Sequence, residues 1–195
     1  MEEELLKRVM NKYRELIPKD IILRDLKVYE TKTKKVNVIV GPRKAGKTYF
    51  LYSILKNQKN PVIINFEDNL LVGIDSQSLN KVSEYAKELF GKEGLCFFFD
   101  EIQNIDGWER FVTSLLNEGY LIYVTGSNSR LLSKEIATSL RGKSISYLML
   151  PFSFKEFLRL KKVEIEKNYE YSEKVYDVKK YFEEYFNFGG FPEII

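Results

Sequence analysis

The sequence predicts an α/β domain on a five-stranded parallel sheet with helices on both faces. Two observations predict it. Five short runs, at 36–40, 62–66, 95–99, 120–125 and 145–150, are nearly continuous in apolar residues, as suits strands covered on both sides. Segments of helical period alternate with them, the signature of strand–helix–strand crossovers.

Taken in order, Leu5, Leu6, Val9, Met10, Tyr13, Leu16 and Ile17 recur at helical spacing, which predicts an opening helix over 3–17 that stops before Pro18. Residues 30–35, ETKTKK, read as a polar turn. Between the strands lie the periods Phe50, Leu51, Ile54, Leu55, then Leu79, Val82, Ala86, Leu89, then Trp108, Phe111, Val112, Leu115. Leu132, Ile136 and Leu140 form a shorter one. Residues 1–150 thus make the core, with the first helix packed on it. From Pro151 onward the pattern is helical. Ser153 with Glu156 makes a capping box for a helix through Leu160. A charged connection over 161–170 leads to an amphipathic helix marked by Val175, Val178, Phe182 and Tyr185. The closing Gly189-Gly190-Phe191-Pro192-Glu193-Ile194-Ile195 is apolar after a Gly-Gly turn, so 151–195 reads as a helical segment leading to a further domain.

Composition narrows the function. The chain has 195 residues, 44% hydrophobic, with 14 Phe and 13 Tyr, too much apolar surface to remain solvated. A net charge of +3, from 31 basic and 28 acidic residues, does not by itself imply nucleic acid. One Cys and no His argue against a disulfide framework and a dedicated zinc site. No apolar run reaches the length of a membrane span and no secretory signal opens the chain, which makes the cytoplasm the expected location.

The chemistry lies in two blocks. Gly41-Pro42-Arg43-Lys44-Ala45-Gly46-Lys47-Thr48 fits G-x-x-x-x-G-K-[ST], directly after an apolar strand and before a helical period, and the cofactor-binding stretch it predicts runs on through Tyr49. Its glycines let successive backbone N–H groups face phosphate oxygens, and the following helix adds its positive end. Lys47 reaches the β- and γ-phosphates, and the Thr48 hydroxyl suits Mg²⁺. The plainer alternative is a basic turn. The second block, Leu95 to Glu101, is an apolar strand ending in two carboxylates. Asp100 at its carboxyl end suits Mg²⁺, through water, and Glu101 suits orienting the attacking water. An intervening strand separates the two blocks, as in P-loop ATPases with an added catalytic glutamate, whose strand order is 5-1-4-3-2. The fourth strand ends in Thr125-Gly126-Ser127-Asn128-Ser129. Ser127 or Asn128 senses the γ-phosphate or caps the next helix; both readings stand.

The blocks GPRKAGKT, FFFDEIQNIDGWE, VTGSNSRLLS, LRGK, LPFSFKEFL and the closing GGFP resemble archaeal and bacterial AAA-like ATPases of the AAA-14 type, allied to the STAND group. The resemblance runs from about Asp20 to the end. It implies ATP and Mg²⁺, a possible homo-oligomer, and a winged-helix or other domain after GGFP, through which nucleic acid would enter. One departure is Gly142-Lys143, where the family often has Gly-Arg. An arginine finger would then fall to Arg141, or second to Arg130; surface pairing of either Arg is the plainer reading. Two further classes compete with a hydrolase. One is a nucleotide switch with negligible hydrolysis. The other is a small-molecule phosphotransferase, for which no Arg-rich lid is present.

Overall fold

The structure is a computed structural model of the chain and describes residues 2–29, 34–75, 77–126, 140, 142–164 and 174–194. Helix α1 (Glu2–Glu15) carries Glu2, Glu3 and Glu4 in its first turn and Lys12 and Arg14 in its last, matched to the helix dipole. It buries Leu6, Val9 and Met10 and ends two residues earlier than the periodicity predicts. Residues 17–29 form no helix or strand, and the next elements are β1 (Val36–Val40), α2 (Lys47–Leu55) and β2 (Asn60–Asn65). There follow α3 (Val82–Phe90), β3 (Leu95–Asp100), α4 (Trp108–Asn117), β4 (Leu121–Gly126) and β5 (Ser144–Leu148). Helices α5 (Phe154–Leu160) and α6 (Lys174–Phe188) close the chain. The predicted helical period at Leu132 and Ile136 lies outside the described residues.

The five strands pair in the order β2-β3-β4-β1-β5, every pair parallel, which is the expected 5-1-4-3-2 seen from the other edge. Side chains alternate across the pleat into two cores. On one face Val36, Val38, Phe97, Phe99, Ile122 and Val124 meet α1, α3 and α4. On the other Ile39, Ile63, Phe98 and Tyr123 meet α2. Strand β2 begins earlier than its apolar run and includes Pro61, which an edge strand tolerates because one side needs no donor. The other edge, β5, departs from the expected continuous coverage. Ser146 and Leu148 are exposed, because β5 pairs only with β1 among the described strands.

Because all strands run the same way, every loop after a strand opens at one edge of the sheet. The loops after β1 and β3 meet there across β4. Among the described residues no helix is long and apolar enough to cross a membrane.

Candidate active site

The site begins where β1 ends. Gly41 lies so close to the strand-β5 exit that a Cβ on it would stand 2.0 Å from the Met149 carbonyl oxygen. Two residues of the loop take left-handed backbone, Lys44 at φ 65° and Gly46 at φ 90°. Gly46 accepts that conformation without a Cβ penalty and directly precedes α2. The loop therefore curls, and the helix N-terminus opens onto it.

Lys47 is 4% exposed, and its Nζ bridges the mouth of the loop. It donates to the carbonyl oxygens of Gly41 and Pro42 at 3.2 and 3.0 Å. It also lies 3.6 Å from Glu101 Oε1. Of the other loop residues, Ala45 is buried, while Pro42, Arg43 and Lys44 are exposed. Lys44 pairs with Glu193 at 2.6 Å. Tyr49 is exposed and sits edge-on to Tyr52.

The strand ends bring the acids to Thr48. Thr48 Oγ1 donates to Asp100 Oδ2 at 2.7 Å. Thr125 reaches Asp100 from β4: its hydroxyl donates to Asp100 Oδ1 and accepts the Glu101 N–H at 3.0 Å. Glu101 itself has φ 51°, an uncommon conformation for a residue with a side chain. The Thr125 hydroxyl thus ties together two adjacent acidic residues at the point where the strand turns. Gln103 Nε2 donates to Glu101 Oε2 at 2.5 Å, while Gln103 Oε1 is buried with no hydrogen-bond partner among the described residues. Burial pushes the Asp100 carboxyl above its ordinary range. The Thr125 and Thr48 hydroxyls and the Lys47 charge oppose this, the neighbouring Glu101 adds to it, and burial wins. Burial and the Asp100 charge likewise raise the Tyr52 phenol to about 12.

Asp100 and Thr48 present hard oxygen atoms side by side, the donor type that suits Mg²⁺. Among the described residues no group of three or more His, Cys, Asp or Glu converges to hold a metal. A cavity of 410 Å³ opens beside the loop, lined by Ile22, Arg24, Gly46, Tyr49, Phe152 and Pro192 among others. A larger one of 710 Å³ runs along α4 and touches no loop residue.

Ser127, Asn128, Arg130 and Arg141 lie outside the described residues. Lys143, at the family's arginine position, precedes β5 and donates to Asn117 at the opposite edge of the sheet from the loop. Lys34, in the polar segment before β1, is also at that opposite edge, donating to the Gly119 carbonyl. Three other residues have a structural role. Asp68 caps the turn after β2, accepting the Leu70 N–H at 3.0 Å. Trp108 is buried in the core. Cys96 is buried mid-strand, and burial pushes its thiol up to about 12. The sequence reading passed over Thr125 and Arg24. Thr125 had a signal, since continuing the β3–β4 register places it opposite Asp100. Arg24 had none.

A family model described as "AAA domain", AAA_14, matches residues 33–158. Uncharacterized protein MJ1544 of Methanocaldococcus jannaschii is 46% identical over 176 residues, covering 89% of this chain and 39% of that protein. An uncharacterized protein of Haemophilus influenzae is 33% identical over 172 residues, covering 84% of this chain and 41% of that protein. The chain thus spans about two fifths of the length of these curated relatives. A solved structure from "Structural Basis for Katanin Self-Assembly" has a TM-score of 0.48 at 14% identity, over 82% of this chain and 52% of that one. The chain belongs to the AAA_14 family of AAA-type P-loop ATPase domains.

Proposed function

We propose that this domain binds ATP with Mg²⁺ and hydrolyses it, using the cycle to change the placement of residues 151–195 or of a domain attached to them. The observation that supports this best is the junction of two separate blocks. The Thr48 hydroxyl meets Asp100, and Lys47 meets Glu101, at one buried edge of the sheet. In this reading the loop amides of residues 41–48 and Lys47 hold the β- and γ-phosphates. The 410 Å³ cavity beside Gly46 and Tyr49 takes the nucleoside. Thr48 and Asp100 hold Mg²⁺, whose contribution is to neutralise charge on the phosphates.

Glu101 accepts a proton from, and aligns, the water that attacks the γ-phosphorus. Gln103 steadies the Glu101 carboxylate through its amide N–H. The buried Gln103 Oε1 is an acceptor suited to the same water. Catalysis in this arrangement is electrostatic: donors and charges already stand where negative charge develops, so little reorganisation remains.

Glu101→Gln tests the reading. The variant should bind ATP while releasing phosphate far more slowly than wild type. Equal turnover would remove Glu101 from the mechanism. The switch reading has one observation in its favour: Glu101 is already engaged by Lys47 and Gln103. Phosphate release at the background rate from wild type that binds ATP would establish the switch instead.

A further inference from the structure

We propose that Arg24, a residue outside every motif of the sequence, positions the phosphate loop. The side chain is 7% exposed and each guanidinium nitrogen is engaged. Nη1 donates to the Ala45 carbonyl at 2.8 Å. Nη2 donates to the Leu150 carbonyl at 2.5 Å. Nε donates to Glu156 Oε1 at 3.0 Å, and the guanidinium stacks 4.7 Å above the Phe152 ring. Such a planar fork distributes donors that a Lys ammonium cannot reproduce.

The contact with Ala45 matters for what the next peptide does. Among the described residues no peptide is cis. In a trans peptide the carbonyl and the following N–H point in opposite directions. Arg24 draws the Ala45 oxygen toward itself, and this turns the Gly46 N–H away, to the other side of the loop. Arg24 therefore fixes the direction of an amide donor in the segment that cradles phosphate. Its own charge is balanced by Glu156, so it acts through the backbone rather than by adding a cation to the site.

The same fork carries the loop's position to the chain's last elements. Glu156 caps α5 by accepting the Ser153 N–H at 2.8 Å, and it accepts the Asp25 N–H at 2.7 Å. Phe152, under the guanidinium, donates its N–H to the Gly190 carbonyl at 2.7 Å. Its own carbonyl accepts the Tyr185 hydroxyl of α6 at 2.7 Å. A rotation of the Ala45–Gly46 peptide is thus opposed by α5 and by the turn after α6.

This inference rests on the reading of residues 41–48 as a phosphate site, and its test separates the two. Binding of a fluorescent ADP with Mg²⁺ is measured on wild type and on Arg24→Lys, with KM and kcat for ATP alongside. The loss of charged hydrogen bonds predicts nucleotide binding weaker by about tenfold or more. KM should rise by a larger factor than kcat falls. Wild type is followed in parallel by NMR during the same titration, which needs no variant to fold. The Gly46 amide resonance should shift as phosphate arrives while the Ala45 carbonyl carbon, already held, stays in place. An Arg24→Lys protein that folds and binds as tightly as wild type overturns the inference. So does an Ala45 carbonyl resonance that moves as far as the Gly46 amide. Wild type that binds no nucleotide would instead overturn the phosphate-site reading itself.

Discussion

Asp100 and Glu156 are both carboxylates buried close to the phosphate loop, 1% and 5% exposed, yet their surroundings drive them in opposite directions. Burial raises both. At Glu156 that push is overcome by the Asp25 N–H, the Arg24 guanidinium and the Ser153 N–H, and the carboxyl is held below its usual range. At Asp100 the donors are two hydroxyls, with Lys47 beyond them and Glu101 repelling, and the carboxyl rises. A balanced carboxylate is a piece of architecture. An unbalanced one at the mouth of a P-loop is a place where a cation lowers the energy. The protein thus leaves charge unbalanced at the site and balanced in the clasp formed by Arg24 and Glu156.

The largest expected contrast is between activity and stability at the two places. Glu101→Gln should cost turnover about 10²- to 10⁴-fold in phosphate release, with a smaller loss of stability than at Glu156, because Lys47 keeps the Gly41 and Pro42 carbonyls as acceptors. Glu156→Gln should do the reverse first. It leaves Arg24 buried without its counter-charge, and a urea melt should show a loss of about 3–5 kcal/mol. A Glu156→Gln protein as stable as wild type would show that the clasp is not a balanced pair at all.

A middle-sized effect belongs to the hydroxyl that organises the acids. Thr125→Val keeps the shape and removes the donor to Asp100 and the acceptor for Glu101 N–H. It should cost about 1–2 kcal/mol in stability. Turnover should fall about tenfold, and Thr125→Ser should restore most of both. If Val and Ser variants behave alike, the hydroxyl is not what holds Asp100 and Glu101.

A smaller effect has the opposite sign. Asp100→Asn should stabilise the nucleotide-free protein by about 1 kcal/mol at neutral pH while abolishing the response to Mg²⁺. The sign follows from linkage. Asp100 has a folded pKa raised above its unfolded value, so its favourable contribution is complete below the ordinary carboxylate range and is lost as pH rises through the raised value. The advantage of Asp100→Asn should therefore vanish as pH falls below that range. Glu156 runs the other way. Its folded pKa is depressed, so its contribution is present above the ordinary carboxylate value and lost as pH falls through the depressed one. The Glu156→Gln deficit should shrink only in that acidic window. The smallest effect is at the rim: Lys44→Ala breaks an exposed pair with Glu193 and should change stability by less than about 0.5 kcal/mol.

The same two regions show what a sequence can disclose. The loop at 41–48 and the pair Asp100-Glu101 are legible as candidates because each is a contiguous string of recognisable spacing, and each abuts an apolar strand. The strand order is what the likeness of the two blocks to P-loop ATPases with an added catalytic glutamate implies; no single strand discloses it. Thr125 is half-legible: it lies 25 residues from Asp100, and only the sheet register brings it opposite. Arg24 is illegible. Its partners Ala45, Leu150 and Glu156 lie 21, 126 and 132 residues away, and none has a composition that announces a contact. Ser153 and Glu156 were readable as a capping box because that motif is local, but the second use of the Glu156 carboxylate was not. Edge effects were also hidden. The apolar run at 145–150 looked like a covered strand, and only the sheet order shows that β5 has one neighbour among the described strands.

Calorimetric titration of MgATP into the purified domain, beside the Lys47→Ala variant, goes to the root of this account. The wild-type domain should take up one nucleotide with measurable heat, and Lys47→Ala should lose most of that affinity while remaining folded. A wild-type domain that evolves no heat with MgATP, or a Lys47→Ala variant whose isotherm overlays it, would contradict the assignment of this loop to a triphosphate.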